Sequence, residues 1–180
     1  VVIGVISAPF KCPPAPSECA LLMHDQLTRA GLREQSSISL VMPFGRPIPP
    51  SPDASAALIE AFAARDIEWR PQTSIVSVDD ERGIATTDDG TEIPYDLFLG
   101  VPAIRAPKIL EDCGMTEDGY VPVKPKTLET RFPDVYAVGD CARQGTPKAG
   151  VFAEGAARAV ARSLMARLRN EEVPVTHQGT

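Results

Sequence analysis

The chain has 180 residues, the length of one ordinary domain or of two small lobes. Its composition, 43% hydrophobic and 23% charged, is typical of a globular protein and excludes a disordered one. The net charge of −6 argues against a nucleic-acid binder, and no apolar run reaches the ~18 residues that cross a bilayer. We therefore expect a soluble or peripheral membrane protein, with the cytoplasm favoured, that has no nucleic-acid partner.

The first third of the chain predicts alternating strands and helices, the pattern of an α/β fold. A β-branched run over residues 1–6 is typical of a strand buried on both faces of a parallel sheet, and residues 38–42 predict a second strand. Between them, apolar residues recur at helical spacing up to Gly31, which can end a helix. A second helix is expected from Asp53, and its predicted apolar face is Leu58, Ile59 and Phe62.

Short segments separated by turn signals follow, and they predict an antiparallel β-meander. Its strands are expected over residues 68–70, 74–79, 83–87 and 92–94. Trp69, in the first of these strands, is expected to pack in the core. Residues 96–101 return to the apolar strand type, and Pro102 ends that strand.

The last third predicts two short strands and the longest helix of the chain. A turn is expected near residues 109–113, a small strand over 121–123 and a buried strand over 134–138. The helix is predicted over residues 150–168, and its expected buried stripe is Ala153, Ala157, Val160, Leu164 and Leu168. The tail beyond Asn170 is expected to be polar and loose.

A glycine and an aspartate follow the predicted strand at 134–138, at the end where open α/β sheets bind ligands. Gly139 allows a ligand to approach the backbone, and Asp140 can accept hydrogen bonds from a sugar-like hydroxyl. The start of the long helix offers N–H groups and partial positive charge to an electron-rich group, to which Lys148 would add a full charge. From the residues alone, a simple turn or helix cap explains the Gly-Asp pair equally well.

The sequence around this turn resembles a known flavoprotein motif. Residues 127–140 resemble the second flavin motif of flavoproteins with two dinucleotide-binding domains. Residues 147–155 narrow the resemblance to sulfide:quinone oxidoreductases, the flavoprotein subunit of flavocytochrome c sulfide dehydrogenase and type II NADH dehydrogenases. The predicted meander, with Asp-Gly-x-x-Ile-Pro-Tyr-Asp at residues 89–96, fits the same group.

The resemblance implies a Rossmann-like FAD/NAD(P)-binding fold, with a parallel sheet and an antiparallel β-meander, in incomplete form. Residues 1–101 would be an NAD(P)-binding-like lobe, and residues 102–180 the C-terminal half of an FAD-binding lobe. The first flavin motif, G-x-G-x-x-G, does not occur in the sequence, so we expect the chain to be the middle of a larger flavoenzyme. The residues that would contact FAD in the intact protein are Gly139, Asp140, Lys148, Ala149, Gly150 and Val151.

The loop after the first strand lacks the G-x-G-x-x-G run that a nicotinamide-binding domain carries there. Four prolines in residues 7–16 remove N–H donors, which disfavours binding of the NAD(P) pyrophosphate. The loop instead carries Cys12 beside Lys11, just ahead of a helix, where a thiol can be a nucleophile or a buried structural group. The resemblance implies that Cys12 is the redox cysteine that forms a disulfide next to the flavin. No cysteine stands at the family's position for its partner, and Cys141 is a weaker candidate.

The other cysteines, Cys19 and Cys113, are expected to be structural, and the wide cysteine spacing predicts no metal site.

Charge is uneven along the chain, because residues 141–180 carry six basic and three acidic side chains. This excess predicts either a solvated basic helix face or a surface that contacts anionic membrane lipid. A homodimer is compatible with the sequence.

The resemblance implies a FAD-dependent oxidoreductase that passes two electrons from sulfide or a similar small donor, through Cys12 and FAD, to quinone or a cytochrome. Two alternatives stay open. One is an NAD(P)H:acceptor flavoprotein of the type II NADH dehydrogenase kind. The other is a non-catalytic domain for assembly or partner binding.

Overall fold

The computed structural model describes residues 1–172, and the polar tail predicted beyond Asn170 lies mostly outside them. The chain forms two compact units, the first spanning Val1–Ala103 and the second beginning at Ile104. No helix within the described residues is both long enough and apolar enough to cross a membrane.

The first unit contains a four-stranded parallel sheet. Its strands are β1 (Val2–Val5), β2 (Ile38–Val41), β3 (Ile67–Arg70) and β7 (Phe98–Val101), in the order β3-β2-β1-β7. Helix α1 (Ala15–Arg29) connects β1 to β2, and helix α2 (Pro52–Ala63) connects β2 to β3. A helical connection between parallel strands is right-handed. Because the chain moves from β1 to β2 and from β2 to β3 in the same direction across the sheet, both helices lie on one face of it.

The two central strands are buried at every position, as the apolar run at the start of the chain predicts. Phe62 of α2 and Ala20 of α1 are fully buried on the helical layer. A meander of three antiparallel strands, β4 (Ile75–Asp79), β5 (Ile84–Thr87) and β6 (Glu92–Pro94), forms a separate sheet. Its apolar residues form one core cluster with the parallel sheet, made up of Val2, Val41, Ile75, Ala85 and Ile93. The prediction of an α/β fold with an added meander is confirmed.

The predicted first strand of the meander belongs to the parallel sheet. Residues 68–70 lie in β3, which pairs parallel with β2 so that Leu40 lies opposite Trp69. Since α2 supplies the crossover that a parallel pair needs, this strand closes a β-α-β unit and takes no part in the meander. Trp69 packs on α2, its ring 6.0 Å from that of Phe62.

The second unit contains two helices and one short pair of strands in its described part. These are α3 (Lys108–Asp112), β8 (Val121–Pro122), β9 (Ala142–Arg143) and α4 (Gly150–Leu168). β8 and β9 pair parallel, and their Val121 and Ala142 form a small core cluster with Ala137.

The buried strand predicted over residues 134–138 does not form. Asp134 has a left-handed backbone, with φ +60°, and the segment pairs through a single bridge between Glu129 and Tyr136. A parallel strand needs a ladder of partners, and the described residues provide only this bridge. The segment is therefore irregular, with Ala137 buried and Val135 exposed.

The limits of α4 match the prediction, but its predicted buried stripe is wrong. The residues that α4 buries are small: Ala156, Ser163 and Ala166. Leu164 and Leu168, by contrast, are 38% and 84% exposed. Small side chains let a helix lie close to its neighbours, so leucine periodicity does not identify the packed face. The predicted apolar face of α2 is also only partly buried, because Phe62 is buried whereas Ile59 is exposed.

Candidate functional site

The candidate site of the second unit begins at a tight turn, residues 139–142, which we call the Gly-Asp turn. Gly139 starts a short 3₁₀ segment and has φ +74°, a backbone conformation that a side chain would strain. A Cβ atom at Gly139 would lie 3.4 Å from Cβ of Ala153, an ordinary contact, so the requirement for glycine comes from its φ. Glycine therefore allows the Gly-Asp turn to pack against the first turns of α4.

The start of α4 lies beside this turn and is open. Its N-cap residue, Ala149, has extended backbone and no side chain that could accept a hydrogen bond. A Cβ atom added to Gly150 would meet no atom within 4 Å, so there is free space in front of the first turn. Phe152 N and Ala153 N already donate to the Ala149 carbonyl oxygen, so this end of α4 offers a ligand the N–H groups of Gly150 and Val151 and the partial positive charge of the helix start.

Lys148 is the buried cation of this site, with 8% of its surface exposed. Its Nζ donates hydrogen bonds to the carbonyl oxygens of Asp140, at 2.7 Å, and Ala142, at 3.1 Å. The same Nζ lies 4.2 Å from the ring centroid of Tyr120. The side chain thus connects the start of α4 to the Gly-Asp turn.

The structure brings together all six residues that the sequence predicts to contact FAD, because the Gly-Asp turn and residues 148–151 meet in the second unit. Their chemistry fits part of a flavin dinucleotide. The Asp140 carboxylate can accept hydrogen bonds from ribityl hydroxyls, and the open helix start can face the electron-rich pyrimidine edge. The space around Gly150 is open, because a Cβ atom added there would meet no atom within 4 Å. Their roles toward FAD remain predictions.

Tyr120 is the residue of this site that sequence reasoning missed. It lies 28 positions before Lys148, and the one local signal near it is the Asp-Gly pair just ahead of it, which indicates a turn. No periodicity or motif links an aromatic ring to a cation at such a separation. The contact depends on the pairing of β8 with β9, which places Val121 beside Ala142.

Cys12 lies in the first unit, on the loop between β1 and α1. Its residue is exposed, its φ is +51°, and its carbonyl oxygen accepts a hydrogen bond from Ala15 N at 2.8 Å. Pro14 is the N-cap of α1, and Pro16 in the first turn has no N–H. With Ala15 N and Glu18 N both bonded to carbonyl oxygens, the start of α1 has few donors left for a pyrophosphate.

All four cysteines lie within residues 1–172, and none is joined in a disulfide. Cys12 and Cys113 are exposed, whereas Cys19 and Cys141 are partly buried. Burial raises the pKa of the Cys19 thiol, and the neighbouring Glu18 carboxylate adds to this effect. The disulfide partner of Cys12 is therefore not assigned.

Comparison with known proteins agrees with this architecture. The family model described as pyridine nucleotide-disulphide oxidoreductase matches residues 18–163. The mitochondrial sulfide:quinone oxidoreductase of Mus musculus is 22% identical over 92% of this chain and 38% of its own length. The sulfide-quinone reductase of Aquifex aeolicus is 24% identical over 94% of this chain and 44% of its own length.

Solved structures show the same fold. The X-ray structure of the Aquifex aeolicus sulfide:quinone oxidoreductase superposes with a TM-score of 0.74 at 20% identity. The match covers 94% of this chain and 44% of that one. At this level of identity the likeness establishes the fold alone. The chain spans about two fifths of the length of the curated relatives that it matches.

Proposed function

Because the chain belongs to the pyridine nucleotide-disulphide oxidoreductase family, we propose that it is part of a FAD-dependent enzyme that oxidises sulfide and reduces a quinone. The observation that carries the proposal is the Gly-Asp turn packed against the open start of α4. The names of the curated relatives, sulfide:quinone oxidoreductase and sulfide-quinone reductase, support both the donor and the acceptor.

The second unit provides half of the cofactor site. Asp140 would hold the ribityl chain, and the backbone at Ala149, Gly150 and Val151 would contact the pyrimidine part of the ring. Lys148 keeps the turn and the helix start together through its two carbonyl contacts. Bound FAD supplies the capacity to accept two electrons and pass them on.

Cys12 is the proposed sulfur-handling residue. Its exposed position leaves the sulfur accessible to a small anion such as hydrosulfide. When Cys12 is held in a disulfide, hydrosulfide attacks one sulfur, the S–S bond breaks, and a persulfide and a thiolate result. The second cysteine of that disulfide is not assigned.

The proline-filled loop ahead of α1 supports a donor other than NAD(P)H. In the described residues this helix start lacks the glycine-lined cradle that a pyrophosphate needs. The first unit would then keep the fold of a nucleotide-binding domain and use it to present Cys12.

The electron acceptor, the oligomeric state, membrane contact and the compartment are also proposals. A cytochrome could replace quinone as the acceptor, and the protein could act as a homodimer. The excess of basic side chains after residue 140 supports peripheral contact with an anionic membrane. The cytoplasm is the proposed compartment.

Anaerobic mixing of the flavin-loaded protein with sulfide tests this function. We expect sulfide to bleach the flavin absorbance band, and Cys12→Ser to slow the bleaching about 100-fold or more, since it removes the attacked sulfur. The matched control is Cys113→Ser, which replaces another exposed cysteine and should bleach at the wild-type rate.

Two results would contradict the proposal. Bleaching by NADH and not by sulfide would favour an NAD(P)H:acceptor flavoprotein. An intact protein, of which this chain is part, that takes up no FAD would favour a non-catalytic domain for assembly or partner binding.

A further inference from the structure

Lys148 carries a buried ammonium group, and its contacts hold that group in place. A buried cation is stable only where its hydrogen-bond donors are matched and its charge is compensated. Two carbonyl oxygens receive hydrogen bonds from Nζ, and the Tyr120 ring lies 4.2 Å away at its centroid. The negative face of an aromatic ring attracts a cation, and the attraction strengthens where water is excluded. Tyr120, like Lys148, is only 8% exposed.

Tyr120 is itself fixed from two directions. Its hydroxyl donates a hydrogen bond of 2.6 Å to the carbonyl oxygen of Ile104. Its backbone pairs with Glu117 in both directions, through bonds of 2.8 and 3.1 Å. The backbone pairing with Glu117 places the ring against Lys148, and the hydroxyl contact adds a second support to the same position.

The two carbonyl oxygens that Lys148 contacts belong to the Gly-Asp turn, and Lys148 directly precedes the N-cap of α4. The ammonium group therefore sets the spacing between the turn that carries Asp140 and the start of α4. These are the two elements that the proposed function assigns to FAD. Elements already held at the correct spacing bind a ligand more tightly, because less order has to be created on binding.

We infer that Tyr120 is a positioning residue for the cofactor half-site. Its ring holds the Lys148 ammonium against the carbonyl oxygens of Asp140 and Ala142 and thereby keeps the Gly-Asp turn and the start of α4 at the spacing that FAD requires. The inference rests on the proposed function, because it concerns the same site.

The test compares two replacements of Tyr120 in the full protein by titrating the apoprotein with FAD. Tyr120→Phe and Tyr120→Leu both lose the hydroxyl contact to Ile104, but only Tyr120→Leu loses the ring. We expect the Kd for FAD to stay within about 2-fold of the wild type in Tyr120→Phe and to rise about 10-fold in Tyr120→Leu. Unfolding curves of the apoproteins establish a temperature at which every variant is folded.

A second pair of variants tests whether Tyr120 acts through Lys148. Lys148→Met removes the charge, so Tyr120→Leu should raise the Kd less than about 2-fold further in the Lys148→Met background. A Tyr120→Leu effect of equal size in both backgrounds would overturn the inference. So would a wild-type Kd in Tyr120→Leu with only a lower unfolding midpoint, or an equal loss in Tyr120→Phe.

Failure of the proposed function gives a different result. A wild-type protein that takes up no FAD would sink the proposed function and the cofactor role of Tyr120 together. Normal FAD uptake by the wild type with an unchanged Tyr120→Leu would sink the inference alone.

Discussion

At the scale of single residues, the turn between β5 and β6 shows how local hydrogen bonds set the charge of a side chain. Oδ1 of Asp89 accepts hydrogen bonds from Thr87 Oγ1 at 2.5 Å and from Thr91 N at 2.9 Å. The Thr87 hydroxyl and the Thr91 amide favour the ionised form, and they lower the pKa of Asp89 to about 2. The carboxylate thereby fixes the turn that begins the Asp-Gly segment of the meander.

The lowered pKa predicts an acid-sensitive contribution to stability. The carboxyl group of an unfolded chain titrates near ~3.9, so the contribution is fully present above that pH and disappears as the pH falls through the folded pKa of about 2. In Asp89→Asn we expect a flatter dependence of the unfolding free energy on pH between about 4 and 2. Urea titrations at several pH values measure it, with exposed Asp80→Asn as the control that should keep the wild-type slope.

At the scale of elements, the packing around β1 leaves no room for a side chain at its central residue, Gly4. A Cβ atom on Gly4 would lie 2.8 Å from Ile75 Cγ1 and 2.9 Å from Phe98 Cε2. Both neighbours belong to the packed cluster under the meander, where side chains have little freedom to move. The close approach of β1 to the meander therefore depends on the missing side chain.

Gly4→Ala should destabilise the first unit by about 1–3 kcal/mol, the usual cost of overpacking a core. The sole tryptophan, Trp69, lies in β3, so its fluorescence in a denaturant titration reports on this unit. Gly45→Ala is the matched control, because its added methyl would meet only the Gln72 side chain, at an ordinary 3.7 Å or more. Equal stability of the two variants would show that β1 can shift to accept a methyl group.

The limits of most elements could be predicted because they depend on local sequence. Apolar runs and helical spacing locate β1 and α4, and turn residues locate the meander strands. Partners could not be predicted in the same way, because β3 joins the parallel sheet through contacts with β2 far along the chain. The Gly-Asp turn was visible as a motif, whereas the Tyr120 ring that supports it was not.

At the scale of the whole molecule, the two units carry different parts of the proposed chemistry. In the proposed function the second unit would carry the flavin half-site, and the first would present Cys12 on a proline-filled loop. Sequence resemblance identified this family, but it could not reveal how α1 begins. The structure adds that Ala15 N and Glu18 N are bonded to carbonyl oxygens of the same loop.

This loop predicts that NADH does not stabilise the protein. A ligand present at about 100 times its Kd adds about 2.7 kcal/mol to the unfolding free energy, which raises the Tm by several degrees. With 1 mM NADH as the probe we expect a shift below about 1 °C in a thermal unfolding scan of the flavin-loaded protein. A shift of several degrees would mean that the first unit binds the nucleotide despite its prolines.

The carbonyl contacts of Lys148 bear on how the enzyme matures. They are made entirely within the polypeptide, so we expect the turn and the helix start to reach their final separation without help from a ligand. If the proposed function holds, flavin loading at this half-site should be a single encounter whose rate rises in proportion to the FAD concentration. A rate that levels off at high FAD concentration would instead point to a slow rearrangement of the turn.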